Sequence, residues 1–234
     1  MDDAHAPLAA ARVAYDDPGL HERDLAPAPL EQLQRWYDEV SAGGAVAEPN
    51  AVVLATVDAD GLPDARTVLL KGLAARGLAL YTHHTSAKGR QLAATPAAAL
   101  VLPWHPVQRQ VRLRGPVERL PDAEVEAYFA SRPWGSRIGA HASAQSEEAA
   151  GREQLEEAWA RAAARWPEDG SGGAVPVPPS WGGYRVRPVE VEFWVGRASR
   201  LHDRLVYLPT APVTAAGPPA LDDAAAWRVV RRQP

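Results

Sequence analysis

The feature that most constrains the fold of this chain is a succession of short β-prone runs separated by turn signals. Residues 51–57 and 65–70 are two such runs, and the turn Asp58-Ala59-Asp60-Gly61 between them completes the signature of a β-hairpin. Further runs follow along the chain, at 78–82, 98–102, 108–114, 115–120, 183–186, 189–194, 201–208 and 226–230. Because the runs alternate only weakly with helical segments, the pattern predicts a small β-barrel decorated by helices and disfavours a doubly wound parallel sheet.

Four segments have the pattern of helices. Residues 29–40 and 147–166 each place apolar side chains on one stripe at helical spacing. Ser86 can cap a short helix that ends at residue 94, and Asp122 can cap one that ends near residue 131.

The chain is predicted to be one domain with an arm and an insert. Residues 1–14 are rich in alanine and are expected to form a flexible arm, which leaves 15–234 as a single domain. Within that domain, 167–180 is rich in Pro, Gly and Ser and is predicted to be a loop. Residues 209–225, rich in Pro and Ala, are predicted to be a floppy hairpin insert.

Composition excludes several classes of function. The chain has no cysteine, so disulfide bonds, thiolate catalysis and cysteine-bound metals are excluded. Its formal net charge of -4 disfavours a nucleic-acid-binding surface. The longest apolar runs, 51–57 and 97–102, are too short to span a bilayer, and residues 1–5 lack the features of a signal peptide. We therefore expect a cytoplasmic protein without nucleic-acid or membrane partners.

The stretch Arg200-Leu201-His202-Asp203-Arg204 indicates a ligand site. If it is extended, side chains alternate between faces, and Arg200, His202 and Arg204 share one face. Two guanidiniums and an imidazole crowded together repel one another unless an anion lies among them. The pattern therefore favours a phosphorylated or otherwise anionic ligand, and the alternative is a solvated sheet edge with scattered charge.

Only two of the 25 Lys and Arg residues are lysines, Lys71 and Lys88. Lys88 follows Ser86 at the start of the short helix, where free backbone amides and the helix dipole attract phosphate. Arg66 and Lys71 bracket an apolar run, so in a regular strand they would point to opposite faces. They could serve one ligand only if the strand bends or ends there, and the alternative is surface charge flanking a buried strand.

The adjacent His83 and His84 suggest a metal site only at first sight. Neighbours in sequence point apart on a strand, and no third ligand follows at a metal-like spacing. We therefore expect exposed loop histidines and no bound metal.

Tyr128, Arg132 and Ser136 recur at intervals of four residues. Tyr128 and Arg132 would lie on one helical face, and Pro133 would force Arg132 out of helical geometry at the end of the helix. Two hydroxyls and a guanidinium converging there would suit a second phosphate. The alternative is a tyrosine in the core and an arginine on the surface.

Ser146 and Trp194 have two interpretations each. Gln145 and Ser146 precede the long predicted helix, and N-capping alone would explain Ser146. Trp194, close to Gly196, could stack on a flat ligand or fill the core.

Taken together, these segments resemble the flavin-dependent pyridoxine/pyridoxamine 5′-phosphate oxidase family. The resemblance runs in order from about Tyr15 to the C-terminus. It is carried by R-T-V-L-L-K (66–71), Y-T-H-H-T-S-A-K-G-R-Q (81–91), P-W-H-P-V-Q-R-Q-V (103–111), Y-F-A-S-R-P-W-G-S-R-I-G-A (128–140), A-Q-S (144–146), W-G-G-Y-R-V (181–186) and E-F-W-V-G-R-A-S-R-L-H-D-R (192–204).

The resemblance implies a mainly β fold with flanking helices, an FMN-binding split β-barrel of antiparallel Greek-key type. It implies a homodimer with two FMN sites at its interface, in which 181–234 is the dimerisation and active-site segment. The implied activity is oxidation of pyridoxamine 5′-phosphate and/or pyridoxine 5′-phosphate to pyridoxal 5′-phosphate, with O2 as acceptor and H2O2 as product. The alternatives are a flavin oxidase acting on a secondary metabolite of the phenazine type and a flavin- or pyridoxal-phosphate-binding module without turnover.

The resemblance also assigns roles to residues. Those implied to bind FMN are Arg66, Thr67, Val68, Leu69, Leu70, Lys71, Tyr81, Thr82, Lys88, Gln110, Gln145, Ser146, Trp194 and Arg204. Those implied to hold the substrate phosphate are Lys71, Tyr128, Arg132 and Ser136. Arg200 and His202 are implied to be catalytic residues that contact the pyridine ring and its reacting arm, with Arg12 and Tyr15 as a lid.

Some positions depart from the family pattern. Ala87 stands where an arginine usually precedes the phosphate-binding lysine, which predicts weaker FMN binding. Arg137 replaces a usual Gln, His141 a usual Trp, and Val195 a usual Gln. These departures leave the preference between amine and alcohol substrates open.

Overall fold

The computed structural model describes residues 14–15 and 18–234, so Arg12 lies outside the described residues. The strands of the described part are β1 (Ala51–Val57), β2 (Pro63–Leu69), β3 (Gly72–Ala74), β4 (Gly77–His83), β5 (Ala97–Trp104), β6 (Arg109–Arg119), β7 (Trp181–Val186), β8 (Glu190–Val195), β9 (Asp203–Pro209) and β10 (Trp227–Arg231). The α-helices are α1 (Pro29–Gly43), α2 (Ala87–Ala94), α3 (Asp122–Ser131), α4 (Trp134–Ala142) and α5 (Arg152–Arg165).

The strands form one curled, split-barrel sheet in which every strand pairs antiparallel with its neighbours. The main path runs β10-β9-β8-β6-β5-β1-β2. Strands β3, β4 and β7 lie off this path, and β7 pairs with both β4 and β6. The long strand β6 therefore joins the two halves of the sheet. This is the mainly β architecture with flanking helices that the sequence predicts.

A row of buried side chains across five paired strands forms the centre of the core. Its members, each at most 1% exposed, are Leu54, Leu100, Leu113, Val191 and Tyr207. Helix α1 covers this face and places Trp36 edge-on against Phe193, with ring centroids 5.0 Å apart. Burying a large apolar side chain stabilises the fold by about 1.5–3 kcal/mol. A one-residue slip of any strand would expose its share of this row, so the row fixes the register.

A second, smaller core lies between helices α3, α4 and α5 and strands β4 and β7. Phe129 of α3 meets the ring of Trp181 on β7 at 4.9 Å, and Ile138 of α4 is fully buried. This core brings the end of α3 close to the start of β7, where part of the candidate site lies.

The structure corrects three helix predictions. Asp122 is the first residue of α3 and not its cap, which is Pro121. A missed helix, α4, begins directly after Pro133, because a fixed proline φ suits a helix start as well as a helix end. The long helix starts at Arg152 and not at 147. Ser146 cannot cap it, since it lies six residues before Arg152, and its φ of 75° is in the left-handed region.

The structure also corrects two strand predictions. The runs 108–114 and 115–120 are one strand, β6, in which Gly115 is needed because a Cβ there would lie 2.0 Å from the carbonyl oxygen of Arg187. The stretch 200–204 is not extended throughout. Arg200 ends a 3-10 turn with φ 61°, and β9 begins only at Asp203. Arg200, His202 and Arg204 therefore do not form one strand face.

The second half of the 209–225 segment is held in place by burial and hydrogen bonds of Leu221. Leu221 is 2% exposed, its amide donates to the carbonyl of Ala75 at 2.7 Å, and its own carbonyl accepts from Leu30 at 2.9 Å. The insert thereby packs against the start of α1.

Candidate active site

The junction between β4 and α2 places Lys88 in a tight, buried turn. Ser86 caps α2, since its hydroxyl accepts from the amide of Gly89 at 3.3 Å and donates to the carbonyl of His83 at 2.7 Å. A Cβ at Gly89 would lie 2.2 Å from the carbonyl oxygen of His84, so only glycine fits there. The predicted cap and helix are confirmed, and they fix Lys88 in the first turn.

Lys88 is a buried cation without an acidic partner. It is 8% exposed, and its Nζ donates to Gln145 Oε1 at 3.2 Å and to Thr82 Oγ1 at 3.4 Å. Within 14–15 and 18–234, no carboxylate pairs with it. Burial, followed by the charge of Arg66, lowers the pKa of Lys88. Because a buried ammonium is costly unless an anion accompanies it, this arrangement fits an anionic ligand. We call Arg66, Thr82, Lys88 and Gln145 the Lys88 cluster.

Arg66 is held rigidly on β2 beside Lys88. Its Nη1 donates to the carbonyl of Leu54 at 3.1 Å and to Thr56 Oγ1 at 2.6 Å. Its Nη2 donates to Gln91 Oε1 at 2.9 Å and pairs with Asp64. The carboxylate of Asp64 therefore balances only one of the two cations, Arg66 and Lys88, which leaves a net positive charge at the cluster. The sequence reasoning missed this supporting frame, because its members are polar residues scattered over three elements.

Strand β2 ends three residues after Arg66. Residues 67–69 complete β2, the amide of Leu70 donates to Asn50 at 2.9 Å, and the amide of Lys71 donates to Ala79 at 2.9 Å. The strand therefore ends between Arg66 and Lys71, which is the condition under which both could serve one ligand. The Lys71 side chain is exposed and, in the part of the chain that is described, contacts neither the Lys88 cluster nor Arg132.

Tyr81, Tyr128, Arg132 and Trp181 form a second group, the Arg132 cluster. The rings of Tyr81 and Tyr128 stack at 3.9 Å, and Tyr81 also stacks on Trp181 at 5.5 Å. The Arg132 guanidinium lies 4.9 Å from the centroid of Trp181, and its Nη1 is buried without a hydrogen-bond partner. Burial lowers the pKa of Arg132. The orphaned guanidinium nitrogen fits a second anion. Ser136 follows, exposed, in the first turn of α4.

His83 is close enough to both clusters to be affected by their charges. Burial first, and then the charges of Lys88 and Arg132, lower its pKa. It is 5% exposed, and its Nδ1 lies 3.1 Å from Ser180 Oγ. The prediction of exposed loop histidines is therefore wrong for His83, because β4 continues through it. No group of three or more His, Cys, Asp or Glu among the described residues is placed to hold a metal ion.

Gln110, Trp194, His202 and Arg204 form the third group, the Trp194 cluster. Trp194 on β8 pairs across the sheet with Gln110 on β6 and Arg204 on β9. Residues paired in this way share one face, so these three side chains are neighbours. The His202 ring lies 4.8 Å from Trp194, and Tyr15 meets both rings edge-on, at 6.0 Å from Trp194 and 5.4 Å from His202.

His202 is held in one tautomer. Its Nδ1 accepts from the backbone amide of Arg197 at 3.0 Å, so Nε2 carries the proton. Burial, followed by the charge of Arg200, lowers the pKa of His202, which keeps the ring neutral near pH 7. Arg200 itself is exposed beside it. Gly196 allows Tyr15 to approach, since a Cβ there would lie 2.6 Å from that ring.

The Lys88 and Trp194 clusters lie far apart on the sheet. Arg66 is on β2 and Trp194 on β8, four strands away in the order β8-β6-β5-β1-β2. At about 4.8 Å per strand, this is roughly 19 Å along the sheet. Among the described residues, no hydrogen bond, ion pair or ring contact joins the two clusters. One chain alone thus presents two separate groups of predicted site residues.

Comparison with known proteins identifies the family. The family model "Pyridoxamine 5'-phosphate oxidase" matches residues 42–166, and the model "Pyridoxine 5'-phosphate oxidase C-terminal dimerisation region" matches 181–234. A pyridoxine/pyridoxamine 5'-phosphate oxidase from Kineococcus radiotolerans is 54% identical over 97% of this chain and 98% of its own length. The chain belongs to the pyridoxamine 5′-phosphate oxidase family. It is therefore an oxidoreductase, as the resemblance predicts.

A further relative and two solved structures are similar to this chain. A pyridoxine/pyridoxamine 5'-phosphate oxidase from Cupriavidus taiwanensis is 47% identical over 97% of this chain and 99% of its own. The structure of PhzG from Burkholderia lata, in complex with tetrahydrophenazine-1-carboxylic acid, superposes with a TM-score of 0.79 at 31% identity, covering 95% of this chain and 100% of PhzG. A related FMN-binding protein from Nostoc punctiforme shares the fold, with a TM-score of 0.65 at 16% identity over 90% of this chain and 100% of its own.

Two departures from the family pattern have structural roles. The Nε2 of His141 lies 2.7 Å from the carbonyl oxygen of Pro176, and its ring lies 4.4 Å from Trp166. Val195 is 2% exposed and belongs to the main core. Ala87, by contrast, is the half-buried first residue of α2 next to Lys88 and leaves the Lys88 cluster without an additional cation. No helix in residues 14–15 and 18–234 is long and apolar enough to cross a membrane.

Proposed function

We propose that this protein is an FMN-dependent oxidase that converts pyridoxamine 5′-phosphate and/or pyridoxine 5′-phosphate to pyridoxal 5′-phosphate. O2 is the acceptor and H2O2 the second product. The observation that carries the proposal is the presence of two cationic groups near His83, the buried Lys88 and the half-buried Arg132 with its unpartnered Nη1. An enzyme with a phosphorylated cofactor and a phosphorylated substrate needs two such sites. The names of the most similar relatives support the same reaction.

The Lys88 cluster is assigned to the FMN phosphate. Lys88 and Arg66 supply charge, while Thr82 and Gln145 supply neutral polar atoms beside Lys88. We assign residues 66–71, Tyr81 and Ser146 to the rest of this half of the flavin site. When bound, FMN supplies the two-electron acceptor, and dioxygen regenerates it with release of hydrogen peroxide.

The Arg132 cluster is assigned to the substrate phosphate. The unpartnered Nη1 of Arg132 can donate a charge-assisted hydrogen bond, and the Tyr128 hydroxyl lies on the same helix within reach of the same anion. Lys71 and Ser136 are exposed in the single chain and would complete the grip on the phosphate. The stacked rings exclude water on one side of this site.

The Trp194 cluster is assigned to the reacting end of the substrate and to the flavin ring. His202 presents a fixed Nε2–H donor, and Arg200 presents a cation beside it. Both would orient the substrate and ease loss of its proton, while Gln110, Trp194 and Arg204 would contact the flavin. Tyr15 covers Trp194 and His202 and, with Arg12, would act as a lid.

The protein is proposed to be a homodimer that pairs the Lys88 and Arg132 clusters of one chain with the Trp194 cluster of the other. The roughly 19 Å between strands β2 and β8 supports this arrangement, because one chain does not join the two halves. The match of 181–234 to a dimerisation region supports it as well. The proposal includes a cytoplasmic location without nucleic-acid or membrane partners.

The test is anaerobic reduction of the purified, flavin-loaded protein by a panel of substrates. Pyridoxamine 5′-phosphate or pyridoxine 5′-phosphate should bleach the flavin absorbance, and readmitted oxygen should restore it with formation of H2O2. Unphosphorylated pyridoxamine is the control and should bleach the flavin much more slowly. A yellow protein that no vitamer bleaches would overturn the proposal in favour of a binding module without turnover.

The similarity to PhzG favours a second candidate, oxidation of a phenazine-type metabolite. An unpartnered Nη1 on Arg132 suits a phosphate, but the carboxylate of tetrahydrophenazine-1-carboxylic acid could also accept from it, so the two candidates are separated by experiment. Tetrahydrophenazine-1-carboxylic acid therefore belongs in the same panel. Bleaching by that compound, without bleaching by the phosphorylated vitamers, would favour the second candidate.

A further inference from the structure

Arg204 is held in place by groups outside the three clusters. Its Nη2 donates to Glu192 Oε2 at 2.8 Å, and its Nη1 donates to the backbone carbonyl of Gln233 at 3.1 Å. The backbone carbonyl of Arg204 in turn accepts from the amide of Arg232 at 2.9 Å. One carboxylate and the C-terminal tail therefore fix two of the three guanidinium nitrogens.

Glu192 is unusual because it is a carboxylate that is only 2% exposed. It lies two residues from Trp194 on β8, so both side chains are on the same face of the sheet. Arg112 also donates to it, at 3.2 Å. A buried charge of this kind is costly and is tolerated when close partners satisfy it. Here the partners include Arg204, the arginine that is assigned to the flavin.

Glu190 lies two residues before Glu192 on β8, on the same face of the strand, and is 3% exposed. It accepts from Arg112 at 2.6 Å and from both terminal nitrogens of Arg232 at 2.9 Å. It has no contact with Arg204. The two glutamates thus have the same chemistry and burial, and they differ in whether they reach the arginine assigned to the flavin.

We propose that Glu192 is a positioning residue of the flavin site, and that it acts together with the C-terminal tail by fixing the guanidinium of Arg204. The proposal rests on the assignment of Arg204 to the flavin. Three further arginines, Arg112, Arg114 and Arg232, pair with Glu190. Without the Glu192 carboxylate, Arg204 would face these three cations with Glu190 alone to balance them. Its guanidinium would then lose its fixed orientation and part of its interaction with the flavin.

The test compares Glu192→Gln with the matched control Glu190→Gln. We expect Glu192→Gln to raise the FMN dissociation constant about tenfold, the factor that corresponds to one hydrogen bond to a charged group. Glu192→Gln should also shift the absorption spectrum of the bound flavin. Glu190→Gln should change the dissociation constant and the spectrum much less. FMN binding is measured by quenching of its fluorescence, a readout that does not need turnover. Circular dichroism confirms that each variant is folded.

A double-mutant cycle tests whether Glu192 affects FMN binding through Arg204. In an Arg204→Ala background, Glu192→Gln should weaken FMN binding no further. Removal of residues 233–234 should reproduce part of the Glu192→Gln effect, since it removes the second anchor of the guanidinium. Equal effects of the two glutamate variants, or an undiminished effect of Glu192→Gln in the Arg204→Ala background, would overturn the proposal. A parent protein that binds no FMN would instead overturn the proposed function.

Discussion

At the scale of single residues, the informative groups are two cations, Lys88 and Arg132, for which the described residues provide no carboxylate partner. Lys88 contacts only neutral oxygens, and Arg132 has a buried nitrogen without any partner. Folding alone does not favour such groups, because each costs desolvation without a compensating ion pair. A ligand that brings negative charge to both positions explains why the fold tolerates them.

The first prediction concerns Arg132. Arg132→Ala should raise the Michaelis constant for pyridoxamine 5′-phosphate roughly ten- to a hundredfold, because a hydrogen bond to a charged group contributes about 1.5–3 kcal/mol. FMN affinity should change little, since Lys88 and Arg66 hold that phosphate. Steady-state kinetics and FMN titration measure the two quantities. Arg161→Ala, which removes an exposed arginine of α5, is the control. An unchanged Michaelis constant would show that Arg132 does not hold the substrate.

The second prediction concerns Ala87. Ala87→Arg should lower the FMN dissociation constant by about tenfold, because a guanidinium beside Lys88 adds a charge-assisted hydrogen bond to the phosphate. Ala87→Gln, which adds length without charge, is the control and should have a smaller effect. Titration of the apoprotein with FMN measures both. If the arginine variant binds FMN no more tightly than the parent, the phosphate does not lie next to position 87.

At the scale of elements, the sequence predicted well where local signals agree with packing. The Ser86 cap and α2 follow from one serine and a short run, and β1 follows from a β-prone apolar run that ends at a turn signal. The failures have physical causes. Helix α4 was missed because Pro133 ends one helix and begins another. The bend at Arg200 was missed because its left-handed φ has no glycine or asparagine to signal it.

The residues of the candidate site also differ in whether a local sequence signal predicts them. Lys88 and Arg132 could be found from the sequence, since an isolated lysine at a helix start and an arginine before proline are local signals. Thr56, Gln91 and Glu192 could not, because their roles depend on strand pairings that bring distant residues together. The gap between the Lys88 and Trp194 clusters likewise follows from strand order, which no local pattern predicts.

The third prediction concerns the Glu190 network on β8. Hydrogen bonds from Arg232, followed by the effect of Arg112, lower the pKa of Glu190 to about 2 from its ordinary 4.5. A lowered folded-state pKa stabilises the protein above pH 4.5, and the stabilisation is lost as the pH falls from 4.5 towards 2. In that window the unfolding free energy of the parent should fall more steeply than that of Glu190→Gln, by up to about 1.4 kcal/mol per pH unit.

Urea denaturation of both proteins at a series of pH values measures this difference. Glu192 shares Arg112 with Glu190, so the difference in slope reports the network that contains Glu190 and not this carboxylate alone. Parallel pH profiles would contradict the assigned pKa.

At the scale of the whole molecule, the predicted site residues fall into two halves that lie on different parts of the sheet. The Lys88 and Arg132 clusters lie around β2, β4 and α3, whereas the Trp194 cluster lies on β6, β8 and β9. The curled sheet keeps these halves apart within a chain. The region matched to a dimerisation model, 181–234, carries most of the second half. The central claim is therefore that each active site combines the first half from one chain with the second half from its partner.

The most direct test of this claim is complementation within a dimer. Arg132→Ala and Arg200→Ala chains are co-expressed with different tags, and the heterodimer is purified over both. If each site uses Arg132 from one chain and Arg200 from the other, one site carries both defects and the other is intact. The heterodimer should then recover about half the parent turnover of pyridoxamine 5′-phosphate at a subsaturating concentration, while each variant homodimer stays strongly impaired. A heterodimer as impaired as the two homodimers would contradict the account, because both residues would then belong to one chain's own site.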